Sequence, residues 1–334
     1  MRSLLRQATR QEGEPLNILS FATHERYQHS MSKCGHNFYL LQIPGQKLWD
    51  TTFAPIPDNY TILDNNVPPY LNIDLILSQD RASHHPGATK LAASLGVPVV
   101  NLQHTLPPPS ISRANLYELQ NRRGILDVFV SEYSRKCWGS EDSKTAHTNM
   151  TGIDTEIFKP LGLEKDGTVL TVANQFAKRG AELGFNEWVQ TVGFPDPVFN
   201  VKVIGDTPGL SVPAQDTTEL VRQYNMSVLY LNTTIVSTLP TVIIEAMSCG
   251  LPIVTTNTCL IPDTLVEHGV NGLVSKHNDP MELRYLCQTL LEDPSLAAKM
   301  GQASREKAER EFTVDRFASK WDEIFREAAN IRTM

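Results

Sequence analysis

SVLYLNTTIVSTLPTVIIEAMSCGLPIVTTNTCLIPD, the stretch from Ser227 to Asp263, decides how the rest of the chain is read. Val228 to Leu231 is a short apolar run fit for a buried parallel strand, and Ile253 to Thr255 is another, led in by Leu251 and Pro252. Between them Pro240 fits a first helical turn, Thr241 to Cys249 carries a helix, and Gly250 suits its left-handed cap. The forty residues between Arg222 and Asp263 hold one charged side chain, Glu245, flanked by Val242, Ile243, Ile244, Ala246 and Met247. A carboxylate in such surroundings costs several kcal/mol unless something hydrogen-bonds it. Two explanations stand. Glu245 either caps a backbone amide or pairs with an arginine from elsewhere, or it accepts hydrogen bonds from a ligand's hydroxyls. In the second case the N–H groups at the helix start, near Thr238 to Val242, face an anionic or polyhydroxylated ligand.

Upstream, TVLTVANQFAKRGAEL opens with a strand at Thr168 to Val172, and Lys178, Arg179 and Gly180 follow just before a helix. That arrangement suits a pyrophosphate between strand end and helix start. Val201 to Gly205 is the next strand, with Asp206 and Thr207 at its end, where they could approach a base. In the first half, strands are expected at Asn17 to Ala22, Phe38 to Ile43, Leu75 to Ser78, Val97 to Leu102 and Leu126 to Glu132, with a helix around Gly87 to Leu95. The segment after the first strand, THERYQHSMSKCGH, reads as a polar loop in which His24 and Glu25 could recognise a ligand. Asp50 to Pro69, rich in proline and asparagine, reads as an irregular excursion. His104 follows a strand end and precedes Pro107 to Pro109, which stiffen its loop, so it belongs among ligand-facing side chains. The segment from Met281 onward is helical, and Phe312, Phe317, Trp321 and Phe325 are expected in a core.

At 334 residues the chain is long enough for two domains, and 41% hydrophobic with 20% charged residues is a globular composition. A net charge of −7 disfavours, without excluding, nucleic acid and anionic lipid as partners. The five cysteines form no Cys-x-x-Cys, so neither a disulfide framework nor a zinc site is expected, and a reducing, cytoplasmic setting fits. No apolar run approaches a membrane span, so stable membrane insertion is not expected. Met1 to Glu14, with Arg2, Arg6 and Arg10 beside two leucines, reads as a flexible arm or a short basic helix.

LPTVIIEAMSCGLPIVTTN, followed by HGVNGLV at His268 to Val274, resembles the C-terminal domain of the retaining, nucleotide-sugar-dependent glycosyltransferases of family 4. MTGIDTEIFKP at Met150 to Pro160 is similar to that family's interdomain linker, and the likeness extends loosely over Asn17 to Trp321. The resemblance implies an α/β chain of two facing Rossmann-like domains (GT-B architecture) with a cleft between them and a C-terminal helix crossing back. The divisions it implies are an arm over 1–14, an acceptor-side domain over 15–153, a nucleotide-sugar-binding domain over 154–310 and the returning helix over 311–334. It gives Glu245 the ribose hydroxyls of the nucleotide and sets Ser237, Thr238, Leu239, Pro240 and Thr241 along the donor. His104 falls near the donor sugar, and Arg179, with Lys178 beside it, neutralises the diphosphate. Asn174 stands where the family has an arginine. Ser237 stands where a Glu-x7-Glu pattern would put its first glutamate, which contacts the transferred sugar.

The function implied is retaining transfer of a sugar from a nucleotide-diphosphate sugar, a co-substrate rather than a cofactor, to an unidentified acceptor. A front-face mechanism would have the donor's phosphate take the acceptor proton. No Asp-x-Asp occurs, so no metal is called for. Two alternatives stay open. Ser237 and Asn174 fit a catalytically weak or inactive nucleotide-sugar-binding protein, and an epimerase or hydrolase would need cleft carboxylates, for which Glu25 and Asp80 are the candidates.

Overall fold

Apolar runs too short for helices become parallel strands, and helices between them cover both faces. The computed structural model describes residues 10–11, 13–43 and 45–331. The chain divides into two units, Met1–Gly152 with Val314–Met334, and Ile153–Thr313.

The first unit contains β1 (Asn17–Ser20), α1 (Glu25–Ser32), β2 (Asn37–Gln42), β3 (Tyr60–Asp64), β4 (Leu75–Ser78), α2 (His84–Leu95), β5 (Val99–Gln103), α3 (Arg113–Asn121), β6 (Leu126–Phe129), α4 (Glu132–Cys137) and β7 (Ala146–Thr148). The second contains β8 (Val169–Val172), α5 (Gly180–Leu183), α6 (Phe185–Val192), β9 (Val201–Ile204), α7 (Thr217–Met226), β10 (Leu229–Asn232), α8 (Thr241–Ser248), β11 (Ile253–Thr256), α9 (Ile261–Thr264), β12 (Gly272–Ser275), α10 (Pro280–Glu292) and α11 (Pro294–Glu311). The closing helix, α12 (Val314–Asn330), belongs to the first unit. Strand order is β3-β2-β1-β4-β5-β6-β7 in one sheet and β12-β11-β10-β8-β9 in the other. Order reverses between β1 and β4 in the first and between β8 and β10 in the second, the switch points where open α/β sheets leave a crevice at their carboxyl ends.

Alternation along each strand divides the first unit's core between the two faces of its sheet. Ile18, Leu75, Leu77, Val100 and Leu102 face α12 and its buried Phe317, Trp321, Ile324 and Phe325. Leu19, Ile76 and Val99 face α2 through Ala88 and Ala92. On α12 the buried positions recur at helical spacing, and Trp321 stacks on Phe325 with ring centroids 4.7 Å apart. In the second unit Leu229, Leu231 and Val254 pack with Trp188, Leu283 and Leu290.

The helix expected after Pro240 is α8, with Pro240 at its N-cap rather than inside its first turn. Gly250 has φ +77°, and the bonds Gly250 N to Met247 O (2.9 Å) and Leu251 N to Ala246 O (3.0 Å) close a Schellman cap.

Elsewhere the chain is more ordered than its polarity implies. The segment expected as a loop after β1 folds into α1, because buried Gln28 accepts the Thr23 amide at 2.9 Å and donates to Phe21 O at 3.1 Å. Glu25 is also buried there, meeting Lys47 Nζ at 2.8 Å and the Asp50 amide at 3.1 Å, so it ties down the Lys47–Asp50 loop rather than facing a ligand. Within the Asp50 to Pro69 excursion lies β3, an edge strand in register with β2. The basic helix considered through Arg2, Arg6 and Arg10 lies outside the described residues except at its end, where Arg10 donates to Asn330 Oδ1 at 2.9 Å. Among the described residues no helix is long and apolar enough to cross a membrane.

Candidate functional site

The second unit brings most of the expected residues to the carboxyl ends of β8, β9 and β10, around its switch point. The loop after β10 is held from two sides. The amides of Ile235 and Val236 donate to Glu182 O on α5 at 2.8 and 2.9 Å, and Thr256 and Thr258 hydroxyls donate to Thr234 O at 2.8 and 2.6 Å. The Ser237 amide donates to Cys259 Sγ at 3.1 Å. Ser237, Thr238 and Leu239 are thereby half-buried, Pro240 is buried and Thr241 is exposed, in a segment with little freedom to shift. Pro240 provides no side-chain cap for the first turn of α8.

Glu245 sits just over a turn inside α8 and is half-buried. Tyr224 is buried on the inner side of α7, and its hydroxyl donates to Glu245 Oε2 at 2.8 Å. Burial, followed by the Glu245 charge, raises the Tyr224 pKa well above its ordinary value, so Tyr224 remains a hydrogen donor at any physiological pH. Tyr224 was not among the expected site residues. Its sequence context, a tyrosine at helical spacing with Val221, is that of any core position.

The loop after β8 rests on the end of β9. Gln175 has φ +54° and its amide donates to Asp206 Oδ1, while the Phe176 amide donates to Thr207 Oγ1 at 2.8 Å. Asp206 therefore braces the neighbouring loop with one oxygen. Asn174 is exposed beside Gln175. Gly205 has φ +155°, and a Cβ there would lie 1.9 Å from Ala173 O, so only glycine lets the two loops meet. Arg179 is the N-cap of α5, and its Nε and Nη2 meet Glu182 Oε2 at 3.0 and 2.9 Å. Both side chains are about half exposed, so this pair is weakly held and open to exchange for a ligand. Lys178 is exposed.

His104 belongs to the first unit, at the carboxyl end of β5, near that sheet's own switch point. Its Nε2 lies 3.1 Å from Gln79 Oε1, and the rings of His24 and Tyr27 pack on it at 4.6 and 4.8 Å between centroids. Burial, with smaller contributions from His24 and His84, lowers the His104 pKa well below its ordinary value, so the ring is neutral. Among the described residues no group of three or more His, Cys, Asp or Glu is placed to hold a metal ion.

Residues 211–307 match the family model "Glycosyl transferases group 1", which includes β10, α8 and Glu245. An uncharacterized glycosyltransferase of Haemophilus influenzae is 26% identical over 172 residues, covering 47% of this chain and 48% of the relative. An exopolysaccharide phosphotransferase of Streptomyces coelicolor is 28% identical over 257 residues, 70% of this chain and 27% of the relative. The chain thus spans about half, or less, of the length of these curated relatives. Among solved structures, sucrose-phosphate synthase from Thermosynechococcus elongatus superposes with a TM-score of 0.73 at 13% identity, over 93% of this chain and 98% of that one. Anabaena HepE in complex with UDP and glucose superposes with a TM-score of 0.71 at 18% identity, over 93% and 100% of the two chains. The fold is that of the GT-B glycosyltransferases, two Rossmann-like units of parallel sheet and helices.

Proposed function

We propose that the protein is a retaining, metal-independent glycosyltransferase of family 4 that moves a sugar from a nucleotide-sugar donor to an acceptor. One observation carries the proposal. A tyrosine-oriented carboxylate, Glu245, stands at a switch point beside an uncapped helix start within the segment that matches the glycosyl transferases group 1 model. In the proposed complex Glu245 accepts the two ribose hydroxyls, and the α8 amides near Thr241 and Val242 face the diphosphate. Arg179 exchanges Glu182 for the departing phosphate, with Lys178 adjacent. Ser237 and Thr238 present hydroxyls to the sugar, and His104 keeps the role that the family resemblance gives it. Solved structures of Anabaena HepE hold UDP, glucose and UDP-glucose, which makes uridine nucleotides the first donors to try. Charge develops on the leaving diphosphate, so preorganised amides and a cation supply stabilisation where the transition state needs it, and positioning does the rest. The donor's phosphate oxygen takes the acceptor proton on the front face. No disulfide joins the cysteines among the described residues, and a cytoplasmic setting is part of this proposal.

The epimerase or hydrolase alternative loses its support. Glu25 is engaged by Lys47 and Asp50, and Asp80 accepts the Ser83 amide at 3.0 Å at the start of α2. The weak or inactive binding protein keeps its ground, because Ser237 and Asn174 stand where the family's glutamate and arginine would. Incubating the protein with a panel of nucleotide sugars and following nucleoside diphosphate release separates the two. Release that rises when an acceptor is added is expected. Binding of a donor with no release under any condition would overturn catalysis and leave the binder.

A further inference from the structure

The first unit holds a chain of hydrogen bonds that ends at His104 and begins on the backbone. Gln79 follows β4 and is fully buried, and its Nε2 donates to Phe21 O at 2.6 Å and to Ser20 Oγ at 2.9 Å. A carbonyl oxygen only accepts, so the amide orientation is set and Oε1 is the atom that faces His104. Oε1 also only accepts. His104 Nε2, 3.1 Å away, must therefore carry the proton. The ring is neutral, so Nδ1 is a bare lone pair. That atom has no hydrogen-bond partner among the described residues, and His104 as a whole is half-buried.

We infer that Gln79 is a positioning residue that locks His104 as the Nε2–H tautomer and so presents Nδ1 as an acceptor to a hydroxyl-bearing, uncharged part of a ligand. This rests on the glycosyltransferase reading for the nature of the ligand, and on the hydrogen-bond chain alone for the tautomer. The surroundings agree. Burial lowers the pKa of His24 and His84 as well, so the imidazoles around this point are neutral and provide no cation for a phosphate or carboxylate. His84 is held at 5.0 Å against Phe21, whose carbonyl anchors the chain of bonds, and Tyr27 meets the His104 ring edge-on. A side chain that must accept from a hydroxyl discriminates strongly against a ligand lacking one, since the unpaired partner then remains desolvated.

The test is two-bond proton–nitrogen correlation NMR on ligand-free, 15N-histidine-labelled protein at pH 7, with the His104 signals assigned through His104→Gln. The expected pattern is protonated Nε2 with unprotonated Nδ1 in wild type, and an averaged pattern in Gln79→Met. A protonated Nδ1, an averaged pattern or an imidazolium in wild type overturns the inference, as does an unchanged tautomer in folded Gln79→Met. Wild type alone decides the tautomer should Gln79→Met fail to fold. Adding UDP-glucose should then move Nδ1 where UDP alone does not. A bound UDP-glucose that leaves Nδ1 unmoved overturns the hydroxyl contact, and UDP-glucose that does not bind counts against the donor reading while the tautomer stands on its own measurement.

Discussion

Glu245 and Tyr224 form a pair that only the fold assembles. If Glu245 takes two ribose hydroxyls by charge-assisted bonds, Glu245→Gln should weaken nucleotide binding by roughly 1.5–3 kcal/mol while the protein stays folded. Calorimetric titration with a nucleoside diphosphate reads this directly. Tyr224→Phe should cost less, about 0.5–1.5 kcal/mol of affinity, because the carboxylate remains but loses the bond that aims it. At Arg179 the prediction runs in both directions. Arg179→Ala should slow transfer more than it weakens nucleoside binding, since the charge it meets grows as the leaving group departs. Glu182→Gln should instead strengthen diphosphate binding by up to about 1 kcal/mol, because the guanidinium no longer has to leave a carboxylate. Should Lys178→Ala impair transfer where Arg179→Ala does not, the roles of the two cations are reversed.

What the sequence made legible at this scale was local. The lone charge of Glu245 and the Gly250 cap follow from their immediate neighbours, because helix starts and stops are decided within a few residues. Tyr224 and Gln79 could not be found that way. Each acts through a partner more than twenty residues distant, from a position whose own sequence neighbours give no sign of it. Glu25 misled for the complementary reason, since a polar run hides a carboxylate whose partners lie on another loop.

Elements meet around the proposed nucleotide site at glycines that leave no room for a side chain. Gly184, with φ +68°, lies so close to the loop after β10 that a Cβ would stand 1.9 Å from Thr233 O. Gly184→Ala should therefore push α5 away from that loop, lower stability by about 1–3 kcal/mol in chemical denaturation and weaken nucleotide affinity as well. A variant that loses stability and keeps full affinity would show that the Ile235 and Val236 bonds to Glu182 do not shape the site. Strands of purely apolar residues were legible as parallel and buried. The short edge strand β3 and the strands β7 and β12 were not, because a few residues between prolines, asparagines or glycines carry too little pattern to oppose their turn-forming neighbours. Helix α1 was hidden likewise by a polar sequence whose glutamine and glutamate are satisfied only in the tertiary structure.

Across the molecule, burial in the first unit disfavours the charged form of four histidines. Burial lowers the pKa of His24, His84 and His104, and takes buried His36, 3.1 Å from Asp322, down to about 4 against the opposing effect of that carboxylate. A histidine whose folded pKa is depressed binds its proton more readily when unfolded. Stability should thus hold above about pH 6.5, the unfolded value, and fall as pH drops from there toward 4. Urea denaturation across that range should find the loss, and His36→Gln should lessen its slope if the variant folds. A flat profile would mean that these rings take up protons as readily in the folded protein as in the unfolded chain.

The central claim is that the second unit's switch point, with Glu245 at its helix start, binds the nucleotide of a sugar donor. Thermal denaturation of wild type and Glu245→Gln against a concentration series of nucleoside diphosphates and their sugars tests it most directly, because a ligand that binds only the folded state raises the melting temperature with the logarithm of its concentration above Kd. The account predicts a concentration-dependent rise for at least one nucleotide in wild type and a much smaller rise in a folded Glu245→Gln. An equal rise in both proteins would contradict it.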